Sequence, residues 1–457
     1  MSSSCLNRAV IACFIICAMI PLVACSERAS GAERIVLDNG VTVLLHPIAG
    51  VEQVGVEAFY DVGFIHEPKN MTQAAHLLEH LVCNGSSESF KQREAMDKLN
   101  AVGMANAETL PAWTHYDYVL PADKLGFALQ IEKERLTSLA FDQALIRHEA
   151  GRCYQETDMV EANPASGMMK HAFMAFSQAW RHDATKALVR GGLEGMTVKD
   201  LRAFHSDFYC ADKLTLVIVG DFKLDEAKRL VQDSLGKVEQ SARKPETLIA
   251  WEKVPQRQTV QWDAKLSGVC LAFPPPKDRT SSVAMSLYGT LLLQQLNFDP
   301  QIKQVADLAF CTNTTWPTDP LPFFVYAAAK DGQSLEDVEG VLKTRFNAIA
   351  AGGKAQAAQL PLLISQLRMQ STSLNRQLVE RQSQMLQNAR GMDRKRATGM
   401  VVGQAALNWG MMENLLGSQP DATAAQLKAM VGATLNKLID ETLDEKRMIV
   451  TYVVPSK

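Results

Sequence analysis

A chain of 457 residues is long enough for two to four domains. With 47% hydrophobic and 21% charged residues it falls in the ordinary globular class, which excludes a disordered chain. Its 47 Lys and Arg stand against 50 Asp and Glu, a net charge of -3 that lacks the basic signature of a nucleic-acid binder, and nine Cys are too sparse for a disulfide scaffold. Two residue types are unevenly placed: all nine His lie between His46 and His205, and four of the nine Cys lie in the first 25 residues.

Arg8 is the only charged residue before Glu27, and Ala9 to Ala24 is apolar apart from Pro21. This reads as a signal peptide over 1–24, too short and too abruptly ended for a comfortable membrane span. Its end, Leu22-Val23-Ala24-Cys25, resembles a bacterial lipobox. That resemblance implies lipidation of Cys25, a tether over 25–33 and, with Ser26 following, an outer-membrane lipoprotein facing the periplasm, its membrane contact limited to the lipid. The alternative is a soluble periplasmic protein cut at the same small residues.

The fold then opens with a hairpin around Asp38-Asn39-Gly40, flanked by Arg34 to Leu37 and Val41 to Leu45. Val51 to Tyr60 alternates like a strand, Thr72 to Val82 follows a helical period, and 122 to 158 is helical with a break near Phe141-Asp142. A helix begins at Val198 with Thr197 as its cap, Leu214 to Gly220 is a buried strand, and Leu224 to Leu235 is an amphipathic helix stopped by Gly236. Polar residues with two prolines over 241–256 suggest a linker between a domain at 34–240 and another at 257–457. The second half echoes the order of the first, with a strand from Thr259 to Phe273, a triple-proline turn, a helix from Ser281 to Leu296, strands at Leu308 to Thr315 and Phe323 to Ala329, helices from Leu335 to about Gln387, and a strand from Met448 to Val454. Strands and helices mix without regular βαβ alternation, so the class is α+β, with two similar domains of mainly antiparallel sheet and helices. The second contains no His.

Within the first helical run, His76-Leu77-Leu78-Glu79-His80 is the inverted zincin pattern. His76 and His80 share a helix face and can hold one metal ion, with Glu79 beside them. A catalytic zinc site needs a third protein donor, and Glu149 and Glu156, seven apart on one helix face, are both candidates. Two histidines and a glutamate merely solvating a helix face are the alternative.

Here the chain resembles the pitrilysin and insulinase type of zinc peptidases, which includes the mitochondrial processing peptidase. The resemblance rests on the pentad, on the two downstream glutamates at that spacing, and on Asp38-Asn39-Gly40, Asn84-Gly85-Ser86, Asn106-Ala107-Glu108-Thr109 and Val219-Gly220-Asp221. It implies one Zn2+ per chain held by His76, His80 and Glu156, with Glu79 as general base and Glu149 orienting the site. It implies a substrate groove along the sheet edge at Ala105, Asn106 and Ala107, where an extended peptide adds as a strand. It also implies half of a four-domain clamshell, hence a homodimer or a heterodimer with a related non-catalytic chain.

One departure concerns the second half. Where relatives carry Arg and, after six intervening residues, Tyr, thought to hold the substrate backbone, this chain has Lys303 and Phe310. Phe cannot donate a hydrogen bond and Lys cannot reproduce a guanidinium fork. The contrasting function is therefore a non-catalytic assembly or substrate-binding subunit of the same fold. Cys83 and Cys153, on faces shared with the metal residues, could bridge or could be two small buried hydrophobes. The remaining histidines, His115 among them, lack metal spacing with one another and read as structural.

Overall fold

The structure is a computed structural model that describes residues 32–68, 71–110, 112–161, 192–242, 251–262, 267–312, 322–352, 376–416 and 433–455. The signal segment and Cys25 lie outside the described residues. The chain opens on strands β1 (Glu33–Val36) and β2 (Thr42–Pro47), paired antiparallel. Their turn is wider than a two-residue Asn-Gly turn. Gly40 N–H donates to the Leu37 carbonyl, and of the turn residues only Gly40, at φ 93°, is left-handed. Asn39 instead donates its side-chain amide to the carbonyls of Leu235 and Val238 at 2.8 and 2.9 Å, tying the hairpin to a helix end almost 200 residues away.

The first half continues through β3 (Gln53–Tyr60), α1 (Ala74–Asn84), α2 (Glu94–Val102), β4 (Met104–Thr109), β5 (Thr114–Pro121), α3 (Leu125–Thr137), α4 (Gln143–Glu161), α5 (Val198–Phe208), β6 (Leu214–Gly220) and α6 (Leu224–Leu235). Thr197 caps α5 in a reciprocal box with Asp200, as its position suggests. The six strands form one sheet in the order β1-β2-β6-β3-β5-β4, with β4 at an edge, and only β2 and β6 run parallel.

The second half holds β7 (Arg257–Trp262), β8 (Gly268–Phe273), α7 (Arg279–Phe298), α8 (Ile302–Val305), β9 (Ala306–Thr312), β10 (Phe323–Ala329), α9 (Leu335–Gly352), α10 (Arg376–Arg390), α11 (Arg394–Leu416), α12 (Ala433–Thr442) and β11 (Ile449–Pro455). Its sheet is ordered β7-β11-β8-β10-β9, again with one parallel pair, β7 and β11. Without β1, the two sheets match strand for strand, β2-β6-β3-β5-β4 against β7-β11-β8-β10-β9, and α7 occupies the place of α1. The fold is α+β with two similar units. The apolar run from Thr259 to Phe273, expected as one strand, is two, because β7 and β8 pair with opposite sides of β11.

Pleating sends alternate residues of each strand to opposite faces. Val54, Val56, Ala58 and Tyr60 of β3 face a core shared with α1 and α3, whereas Phe59 faces the other way. That second face is covered by α11, whose Val402, Ala406 and Trp409 pack with Phe59, Val217 and Val219 and with Phe324 and Tyr326 of the second sheet. The approach is close enough to require glycine: a Cβ on Gly403 would lie 2.6 Å from Val119 Cγ2, and one on Gly410 would run into the Phe59 ring. The end of the expected linker is also fixed, since Trp251 is buried and donates its indole N–H to the Arg447 carbonyl at 2.7 Å. Among the described residues, no helix is long and apolar enough to cross a membrane.

Candidate metal and active site

Helix α1 has an unusual start. Gln73 enters it at φ 67°, and the carboxylate of Glu67 takes the place of a cap, accepting from Gln73 N–H at 2.7 Å and Ala75 N–H at 2.9 Å. Both oxygens of one acid thus satisfy helix N–H groups that would otherwise be buried without partners. Leu77, Leu78 and Leu81 anchor the helix in the first core. His76, Glu79 and His80 are left on the other faces, and Thr157 of α4 reaches back to donate to Gln73 Oε1 at 3.1 Å, aligning the two helices.

The two helices bring the expected metal residues together. Glu156 Oε2 lies 3.3 Å from His76 Nε2 and 3.2 Å from His80 Nε2. A tetrahedron with metal-to-ligand bonds near 2.0 Å has edges of about 3.3 Å, and both carboxylate-to-imidazole separations match that edge. The imidazole rings stand at 89° to one another with centroids 4.8 Å apart. Glu156, with its side chain 32% exposed, leaves the site open to solvent. Glu149, 1% exposed, lies beneath it. A carboxylate only accepts, so His80 Nδ1 donates to Glu149 Oε2 at 3.0 Å, and Nε2 is turned toward Glu156. Such a carboxylate behind a histidine fixes the tautomer and ring direction of a metal ligand.

The electrostatics follow from these contacts. Burial alone would raise Glu149 and Glu156, but their histidine partners hold both below the usual carboxylate range, assisted at Glu149 by Arg152. Burial disfavours the imidazolium of His76, yet Cys153 and Glu156 raise it to about 9. His80 is raised further, against the same burial, by Cys153, Glu149 and Glu156. These contacts favour the imidazolium and carboxylate forms, so a cation at this position would compete with protons for the imidazoles. His76 Nδ1 is buried without a hydrogen-bond partner among the described residues.

Two residues join the site that their spacing alone does not announce, and Cys153, already placed on a shared face, joins them. Thr109, the last residue of edge strand β4, donates its hydroxyl to Glu79 Oε2 at 2.7 Å. Arg152 donates to Glu149 at 3.3 Å. Cys153 is fully buried, and its sulfur lies within 4.8 Å of ring nitrogens of both histidines. Burial opposes its thiolate, but His76 and His80 lower its pKa overall. Cys83 and Cys153 are free thiols, so no bridge braces the helices. Cys153 and Glu156 are thus both neighbours of the two imidazoles.

Ala105, Asn106 and Ala107 do lie on the sheet edge, paired on one side only, with Tyr118, Asp117 and Tyr116 of β5. Lys303 is exposed on short helix α8, its ammonium over the Phe298 ring at 5.3 Å. The backbone of Phe310 pairs with Tyr326 within the second sheet.

The chain matches the family model described as "Insulinase (Peptidase family M16)" over residues 42–189 and "Peptidase M16 inactive domain" over 195–360. It is 24% identical over 214 residues to the insulin-degrading enzyme of Bos taurus, covering 44% of this chain and 21% of that one, so it spans well under half the length of that relative. A protease from Helicobacter pylori has a similar structure, with TM-score 0.62 and 19% identity over 93% of this chain and 99% of that chain. The periplasmic protease PqqL from Escherichia coli is similar at TM-score 0.54 and 18% identity, over 94% of this chain and 48% of that chain. With the two family models matching residues 42–189 and 195–360, this chain belongs to the insulinase family of peptidases, M16.

Proposed function

We propose that the protein is a zinc-dependent endopeptidase that cuts peptides or unfolded segments. The observation that carries this reading is the convergence of His76, His80 and Glu156 at zinc spacing, with Glu79 beside His80 on the same helix. Zinc, when bound, supplies Lewis acidity toward water and toward a substrate carbonyl. Glu79, held by Thr109, takes a proton from the attacking water and returns it to the leaving amine. Glu149 keeps the His80 ring directed at the metal position. Ala105, Asn106 and Ala107 offer edge backbone to an extended peptide, which binds with loose side-chain selectivity.

In this reading residues 34–240 form the catalytic domain, and 257–457 supply walls and binding surface, Lys303 and Phe310 among them. Correspondence with one half of a longer periplasmic protease supports pairing with a second chain and a periplasmic location, to which lipidated Cys25 would fasten the protein. A second reading, an assembly or substrate-binding subunit without catalysis, draws on Lys303 and Phe310 where relatives carry Arg and Tyr.

The test is metal analysis of the purified chain, followed by cleavage of an unfolded protein substrate by wild type and Glu79→Gln, alone and mixed with any co-purifying related chain. The expected result is one zinc at the histidine site and cleavage that Glu79→Gln abolishes. Absence of zinc from that site, or equal cleavage by both proteins, overturns the enzyme reading.

A further inference from the structure

On the sheet face turned away from α1, a second group of ionisable side chains converges. Glu57 of β3 stands directly opposite Asp117 of β5, and Glu108 of β4 stands opposite His115. His115 and Asp117 are two apart on one strand, so all four share a face. Glu57 is 2% and His115 4% exposed. His115 Nδ1 lies 3.3 Å from Glu57 Oε2, and its Nε2 lies 3.5 Å from Glu108 Oε2. Donor atoms of Glu57, His115 and Asp117 all fall within 4.8 Å of one another. Asp117 Oδ1 is buried and has no hydrogen-bond partner among the described residues.

An imidazolium at His115 can donate to Glu57 and to Glu108, but it leaves Asp117 Oδ1 without a donor. With the single N–H of a neutral His115 given to Glu108, the Nδ1 lone pair faces a Glu57 acceptor, and Asp117 adds another. Protonating His115 supplies one positive charge for three acids, in surroundings where an uncompensated charge is costly. A divalent ion removes the conflict, since one imidazole nitrogen and two carboxylate oxygens are ordinary donors for first-row metals. Glu108 would then orient His115 from behind, as Glu149 orients His80 in the first site.

We infer that Glu57, His115 and Asp117 form a second divalent-metal site, suited to an ion of the manganese or zinc class, with Glu108 as the positioning residue for His115. This inference does not depend on the peptidase reading. The test uses the full chain, stripped with chelator, reloaded with Zn2+ or Mn2+, freed of excess and assayed for bound metal by mass spectrometry. Wild type should hold two ions, His80→Ala one and His115→Asn one, with Co2+ added to His80→Ala giving a visible ligand-field spectrum. That last measurement leaves the second site unmutated and so stands even if His115→Asn does not fold. A His80→Ala protein that binds no metal and shows no Co2+ spectrum overturns the inference and leaves the first site untouched. If His115→Asn binds none while His80→Ala keeps one, the second site holds and the histidine pair of α1 loses its assigned role.

Discussion

Helices α1 and α7 hold the same place in two sheets of the same strand order, yet they are built differently. Helix α7 runs 20 residues from an ordinary cap, Asp278 accepting from Ser281 N–H at 2.9 Å, and buries Met285, Tyr288, Leu292 and Leu296. Helix α1 runs 11 residues from a left-handed Gln73, is capped at a distance by Glu67, and buries Glu79 and His80 at 8% and 6% exposure. The scaffold needs no chemistry at this position. Where polar residues are buried, the helix is shorter and its start is held by residues brought from elsewhere, the pattern expected when local preference yields to a site.

That contrast can be broken most sharply at Glu79. Glu79→Gln should lower peptide cleavage by about a hundred- to ten-thousand-fold while zinc content stays at the wild-type level. Glu149→Gln should leave the ligands in place but weaken zinc binding by about 10- to 100-fold in competition with a chelator, because His80 loses its anionic partner. Next comes the seam between the halves. Gly410→Ala should destabilise the protein by about 1–3 kcal/mol in urea unfolding, since the added methyl meets Phe59, with little change in zinc affinity.

The smallest effect belongs to the second half alone. Glu339 accepts both guanidinium N–H groups of Arg257 at 2.8 and 2.7 Å and the Tyr452 hydroxyl at 2.6 Å. Burial would raise its pKa, but Arg257, Lys343 and Tyr452 prevail and hold it at about 2. Its folded pKa lies below the unfolded value, so the stabilisation is complete above about pH 4.5 and is lost as pH falls toward 2. With Arg257 largely exposed, Glu339→Gln should cost only about 1 kcal/mol at pH 7. The gap between variant and wild type should narrow in urea titrations below pH 4.5, with zinc binding unchanged. A change in zinc binding there would mean that the core shared across α11 couples the two halves.

Much of the molecule is legible in the sequence wherever the relevant spacing is local. The period that places His76 and His80 on one helix face, and the strand-like run from Leu214 to Gly220, depend on neighbours a few residues apart. Contacts set by register over long separations are not legible in that way. Thr109 meets Glu79 across 30 residues and His115 meets Glu57 across 58, and nothing in either segment states the pairing of β3 with β5. His115 and Asp117 do alternate in the sequence, so their common face is readable, but the acid opposite them is not. Helix α11 is hidden for a different reason: its glycines lower helix propensity and its apolar residues are spread around it, as suits a helix packed between two sheets.

The hydroxyl of Thr109 makes the edge strand and Glu79 one mechanical unit. In the proposed mechanism, a peptide added along β4 would pull on the same residue that holds Glu79, so occupancy of the edge and readiness of that carboxylate are read through one bond. Thr109→Val would uncouple them: an inhibitor shaped as an extended strand could still settle on β4, but its arrival would no longer be felt at Glu79.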